Sequence, residues 1–314
     1  MARRVARTGP YRRKHHVVQT SGGLGSWATG MRVREKYGTE NLHLLFADTF
    51  IEDDDLYRFL IEGSALVLDL PIPAGLVEHT YHLPSVTEDL EARKRELLSI
   101  ATAANEALPG LHWIAEGRDP WEVFRDVRFI GNARIDPCSD KLKRSFLRAW
   151  MEENFSPLFT TAYIGIDWTE DHRFKKAKDR WAPWHVEAPL CEPPLHAKST
   201  FTADLESRGV KKPRMYDEGF PHNNCGGFCI KAGMAHFKLL AQERPEIYAH
   251  HEKQEAEFRE FLGKDVAVLR DRSKVARDAN DGKAKPLPLS EFRQRLIDGG
   301  EIDEFDWGGC GCAI

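Results

Sequence analysis

The 314-residue sequence has no run of about eighteen consecutive apolar residues, so nothing in it reads as a membrane-spanning helix. Its opening residues, Met-Ala-Arg-Arg-Val-Ala-Arg, lack the apolar centre of a secretory leader, and a cytoplasmic protein that does not engage a membrane is expected. Six cysteines are too few to staple a chain of this length and, in that compartment, read as thiols or metal ligands rather than disulfides. Neither sign of charge dominates: 45 Lys and Arg stand against 49 Asp and Glu, which excludes a generally polycationic or polyanionic protein. With 41% apolar residues there is enough to build a core, so disorder as the global state is excluded. No internal repeat is present, no glycine-lysine-serine/threonine phosphate loop, and no in-register G-x-G-x-x-G dinucleotide fingerprint.

The charge that is present is unevenly placed. Residues 1–16 carry Arg3, Arg4, Arg7, Arg12, Arg13 and Lys14 and no acid, a basic arm on an acidic body. Such an arm suits either solubilisation or contact with a nucleic-acid backbone. After it, the β-branched run His15–Thr20 predicts a strand, Ser21-Gly22-Gly23-Leu24-Gly25-Ser26 a loop, and Trp27–Tyr37 a helix. Leu42–Ala47 predicts a second strand, Glu52–Leu60 an acidic amphipathic segment and Ala65–Leu70 a third strand. Helices are expected at 88–107 and Lys141–Asn154, and a further strand at Phe159–Gly165. This alternation implies a parallel sheet in an α/β fold, with ligands at the carboxyl ends of the strands, where both the glycine loop and Asp48 fall. Trp181–Arg214 reads as a long loop, followed by helices at Phe228–Arg244, Pro245–Leu262 and Leu289–Ile297, with a charged loop at 270–286. The expected organisation is a nucleotide-binding domain over 1–215 and a mainly helical, cysteine-containing region over 216–314.

The glycine loop is suited to an anion, because glycines let backbone amides approach phosphate oxygens and a helix N-terminus completes the site. A tight strand-to-helix turn would use the same glycines. The loop resembles the S-G-G-x-D-S pattern of the PP-loop ATP pyrophosphatases (adenine nucleotide alpha hydrolases), a superfamily with a HUP-like, Rossmann-like core, and within it the phosphoadenosine phosphosulfate reductase-like branch. Three further segments are similar in the expected order: F-A-D-T at Phe46–Thr49, D-P-C-S-D-K-L-K-R at Asp136–Arg144, and I-G-I-D-W-T-E-D-H-R at Ile164–Arg173. The resemblance covers residues 15–175. It departs from the pattern at Gly25, where the family carries an aspartate, and at Asp167, near a usual arginine.

The resemblance implies cleavage of ATP between its α and β phosphates. Ser21, Gly22, Gly23, Gly25 and Ser26 would hold phosphates, Lys141, Lys143, Arg144 and Arg173 would be cationic clamps, and Asp48 would meet magnesium or ribose. Arg118, in E-G-R-D-P-W, is a further candidate phosphate contact, with an ion pair to Glu116 or Asp119 as its alternative, and a solvated helix face is the alternative for Lys141 and Lys143.

Cys225-Gly-Gly-Phe-Cys229 and Cys310-Gly-Cys312 are two close pairs set in glycine, which lets a backbone turn so that sulfurs converge. Four soft ligands suit either zinc or an iron–sulfur cluster, with His222 as a reserve ligand. Sulfur-handling members of the resembled superfamily often carry a [4Fe–4S] cluster, which places the cluster ahead of zinc. Cys138, in its basic segment, is a candidate sulfur carrier or nucleophile, because neighbouring cations favour the thiolate; a buried structural role is the alternative. Cys191 has no partner in sequence. Three functions follow as expectations: an ATP-dependent adenylating enzyme coupled to sulfur transfer onto a nucleic acid or nucleotide, with a sulfur-donor or electron-transfer protein as partner; a sulfonucleotide reductase; or a catalytically silent nucleotide- or nucleic-acid-binding protein in a larger assembly.

Overall fold

The computed structural model describes residues 15–132, 134–278 and 280–309. Five strands, β1 (His15–Gln19), β2 (Leu42–Asp48), β3 (Leu111–Ala115), β4 (Thr160–Ile164) and β5 (His185–Glu187), form one parallel sheet in the order β3-β2-β1-β4-β5. The helices linking them are α1 (Leu24–Tyr37), α2 (Asp54–Leu68), α3 (Ala74–Thr80), α4 (Leu90–Ala107) and α5 (Pro120–Val127), then a turn, α6 (Pro137–Ser139), that passes through a π-helical turn at Asp140–Arg144 into α7 (Ser145–Asn154), and α8 (His172–Trp181). This is the α/β, Rossmann-like arrangement that the alternating pattern implies.

Parallel strands covered on both faces carry apolar side chains in both directions. Val18, Leu44 and Phe46 pack with α1, α2 and α4, while Val17, Leu45, Ala47, Ala162 and Ile164 pack with Leu147, Met151 and Trp181 on the opposite face. From central β1 the chain first builds outward through β2 and β3, then returns to add β4 and β5 on the other side. The order therefore reverses between β1 and β4, and the carboxyl ends of those two strands open the crevice in which such sheets hold ligands.

Several expected elements are different. Ala65–Leu70 is not a strand: Ala65, Val67 and Leu68 are the last buried turn of α2, which runs on because Leu56, Leu60 and Ile61 already give it a buried helical face. The third strand is Leu111–Ala115, placed after Pro109-Gly110 breaks α4 off. Trp181–Arg214 is not a loop, since it holds β5 and α9 (Lys198–Ser207), whose Phe201 and Leu205 join the core. The helix expected from Phe228 begins later as α10 (Met234–Glu243), because the Cys225–Gly227 turn and Gly233 precede it. α11 (Pro245–Leu262) follows as expected. Residues 270–286 hold α12 (Lys274–Asp278) inside the short antiparallel pair β6 (Leu269–Asp271) and β7 (Lys285–Leu287), and α13 (Leu289–Ile297) follows.

A second apolar cluster draws on both sides of residue 215: Ile51, Trp121 and Phe124 pack with Met215, Phe228, Phe237, Phe258 and Phe292. Among the described residues no helix is long and apolar enough to cross a membrane.

Candidate functional site

The glycine loop leaves β1 and enters α1 at the point where the strand order reverses. Its first glycine, Gly22, has φ +71°, a left-handed conformation open to glycine at no steric cost. Ser26, 5% exposed, ties the loop: its hydroxyl donates to Gly23 O at 2.9 Å and accepts from Ser21 N at 3.2 Å. A Cβ on Gly25 would lie 3.1 Å from Gly165 O, and one on Gly165 would lie 2.8 Å from Ser26 N. Two glycines thus let the start of α1 press against the chain leaving β4, a physical reason for Gly25 where the resembled pattern has an acid.

Residues beyond 215 brace the same loop. Asn223 Nδ2 donates to Gly22 O at 3.0 Å, and the Tyr216 hydroxyl accepts from Leu24 N at 3.4 Å.

The loop faces a cleft of about 1220 Å³, lined by Ser21, Gly23, Gly25 and Ser26, by Gly165, Asp167 and Arg173 after β4, and by residues from the C-terminal third. Seven of the lining side chains are Lys or Arg, against three acids, Asp167, Glu170 and Asp306. Arg173, Lys231 and Arg272 are ion-paired with Glu170, Asp136 and Asp306. Arg134, Lys176, Lys198 and Arg270 form no ion pair with any described residue. A helix N-terminus, the amides of the glycine loop and an excess of cations in one cleft could together receive a multiply charged anion.

Other expected residues lie elsewhere. Asp48 does not line the cleft: it is 1% exposed and accepts from Tyr57 Oη at 2.8 Å, Trp113 Nε1 at 3.0 Å and Phe50 N at 2.8 Å. Burial pushes its carboxyl up to about 6, against those hydrogen bonds. Lys141 is exposed beside Asp140, and Arg144 is held by Asp136 at 2.8 Å, so neither lines the cleft. Lys143, pointed inward by the π-helical turn, is buried against Glu52 at 3.1 Å. Arg118 pairs with Glu116 and Asp126, and its guanidinium is held strongly protonated by them.

Cys138, Cys225 and Cys229 line one small pocket together with Lys143, whose ammonium lies 3.8 Å from Cys225 Sγ. The sequence places Cys138 apart from the pair, and the fold brings it alongside. Cys310 and Cys312 lie outside the described residues, as does the basic arm up to residue 14. Up to Gly309 the chain is held: Ala235 N donates to Asp306 O and Gly309 N to Lys231 O, both at 3.0 Å. Among the described residues no group of three or more His, Cys, Asp or Glu is placed to hold a metal ion. His222 lines the large cleft rather than the thiol pocket. Cys191 donates to Ile166 O at 3.4 Å, and burial, with nearby carboxylates, pushes its thiol up.

Sequence reasoning missed Arg134, Lys176, Lys198, Lys231, Arg270 and Arg272. Each is an ordinary surface cation in the sequence, and no local spacing sets it apart. No family model matches the chain, and comparison with curated proteins gives no match.

Proposed function

We propose that this protein is an ATP-dependent adenylating enzyme, cleaving ATP between its α and β phosphates and passing sulfur to a nucleic acid or nucleotide. The observation that carries this reading is the position of the glycine loop: at the strand-order reversal, on a helix N-terminus, facing a cleft with an excess of cations. The loop amides would hold the β and γ phosphates, and Arg173 and Lys176 would neutralise charge on the departing pyrophosphate. An acceptor oxygen attacks the α phosphorus as the bond to the bridging oxygen breaks, which yields an adenylated acceptor. Since Asp48 is enclosed, the carboxylates that face the cleft and could hold magnesium are Asp167, Glu170 and Asp306.

Purified protein given ATP and magnesium is expected to release pyrophosphate. ATP binding without that release would select a second reading, a silent nucleotide-binding protein, which Gly25 at the usual acidic position and the enclosed Asp48 favour. A third reading is a sulfonucleotide reductase, against which counts the terminal sequence G-G-C-G-C-A-I, unlike the E-C-G-x-H kind of tail of such enzymes. Thioredoxin-dependent sulfite production would restore it. The basic arm is proposed as a nucleic-acid contact.

Cys225 and Cys229, with Cys310 and Cys312, are proposed to hold a [4Fe–4S] cluster, zinc being the alternative. Soft thiols that share a pocket, with Lys143 beside one of them, fit either. When bound, the cluster would supply electrons or sulfur; Cys138, which shares the pocket with Cys225 and Cys229, is proposed as the sulfur carrier or nucleophile. Anaerobic preparation is expected to give a brown protein containing iron and sulfide; a colourless protein with one zinc per chain would remove the cluster.

A further inference from the structure

Gln19 is the last residue of β1 and is 2% exposed; both side-chain polar atoms, Nε2 and Oε1, are buried without a hydrogen-bond partner among the described residues. Asn223 is 1% exposed, and while its Nδ2 holds Gly22 O, its Oδ1 is likewise buried and unpartnered. Both line the large cleft. Trp27 Nε1, Thr160 Oγ1, Trp184 Nε1, His236 Nδ1 and Glu252 Oε2 also have no hydrogen-bond partner among the described residues, but none of these residues lines the cleft. Buried amides are costly when left unpaired, and folded proteins satisfy nearly all of them. A whole glutamine amide and an asparagine carbonyl left unpaired among the described residues beside the glycine loop are polar groups that a ligand could satisfy.

Their chemistry restricts that ligand. Gln19 Nε2 is a donor that a phosphate oxygen would also satisfy, but Gln19 Oε1 and Asn223 Oδ1 are acceptors, which repel phosphate oxygens and require an O–H or N–H from the other side. The phosphates are served by the loop and the cations. The remaining part of a nucleotide, the nucleoside, carries such donors on its sugar hydroxyls and on a base amine, and also an acceptor for Gln19 Nε2. The cleft, at about 1220 Å³, exceeds the 300–1,000 Å³ of common small-ligand sites, so the nucleoside fits beside the phosphates. We infer that Gln19 and Asn223 recognise the nucleoside of the nucleotide whose phosphates rest on the glycine loop. This rests on the nucleotide reading above and adds to it the residues that distinguish a nucleotide from bare polyphosphate.

The test is calorimetric titration of ATP and of inorganic tripolyphosphate into the full chain and into Gln19→Met, with a thermal melt of each. Wild type should bind ATP at least about tenfold more tightly than tripolyphosphate, one good hydrogen-bond contact being worth about that factor. Gln19→Met should weaken ATP by about ten- to a hundredfold, leave tripolyphosphate within about twofold, and melt no lower than wild type, since it removes an unpaired buried amide. Equal wild-type affinity for the two ligands overturns the inference whatever the variant does. So does unchanged ATP binding by Gln19→Met, or an equal loss for both ligands. Wild type that binds neither ligand removes the nucleotide reading itself.

Discussion

Ser26→Ala should lower pyrophosphate release from ATP by about 10²-fold while the protein stays folded. The Ser26 hydroxyl is both donor to Gly23 O and acceptor from Ser21 N, and it lies 3.2 Å from Thr20 Oγ1, so one atom joins both ends of the loop. The backbone at the start of α1 has no side-chain cap of its own at Gly23. Without the hydroxyl the loop loses its cross-tie and its amides lose their alignment on the phosphates. A misplacement of about 1 Å at a reacting group is enough for a loss of this size. The folding cost is that of a single tie, about 1–2 kcal/mol, too small to unfold a chain with three apolar clusters. Rates of pyrophosphate release set beside a urea unfolding curve check both parts. Unchanged release from the variant would remove the loop from the reaction.

Lys143→Met should cost about 3–5 kcal/mol of stability, because it leaves a carboxylate buried without its counter-charge. The Glu52 side chain is fully buried and that of Lys143 is 9% exposed, at 3.1 Å. Glu52 Oε1 also accepts from Thr49 at 3.1 Å, and Oε2 accepts from Cys225 N, so this one carboxylate joins the end of β2 to the first cysteine turn. At roughly 2–4 °C per kcal/mol for a large domain, the melting temperature should fall by roughly 6–20 °C. The double variant Glu52→Gln, Lys143→Met should recover much of the loss, since a buried ion pair is costly to break and of small net worth when both charges are removed. A single variant that melts within a degree of wild type would show that the Lys143–Glu52 pair does not hold the fold together.

The parts of the fold that could be read from the sequence are those encoded by neighbouring residues. The β-branched run before Ser21, the glycines after it and the helical periods of 90–107, 245–262 and 289–297 are local, and the structure has each element in place. The Ala65–Leu70 run misled because a short apolar stretch has the same composition in a buried helix as in a buried strand, and here the buried face begun at Leu56 carried the helix through it. The segment after Trp181 misled for the opposite reason: its prolines and charges masked β5, whose three residues are too short to leave a pattern.

The sequence by itself determined that a strand would feed a glycine loop and a helix, and that four of the cysteines stand in two close pairs, because both depend only on residues a few positions apart. Tertiary structure alone decided what surrounds that loop. Tyr57 and Trp113 enclose Asp48, Cys138 stands beside Cys225 and Cys229, and Gln19 faces a cleft shared with Asn223, some two hundred positions away. None of these meetings follows from spacing: the first requires β3 to pair beside β2, the other two the packing of the C-terminal third against the sheet, and the free energy of such contacts belongs to the assembled core.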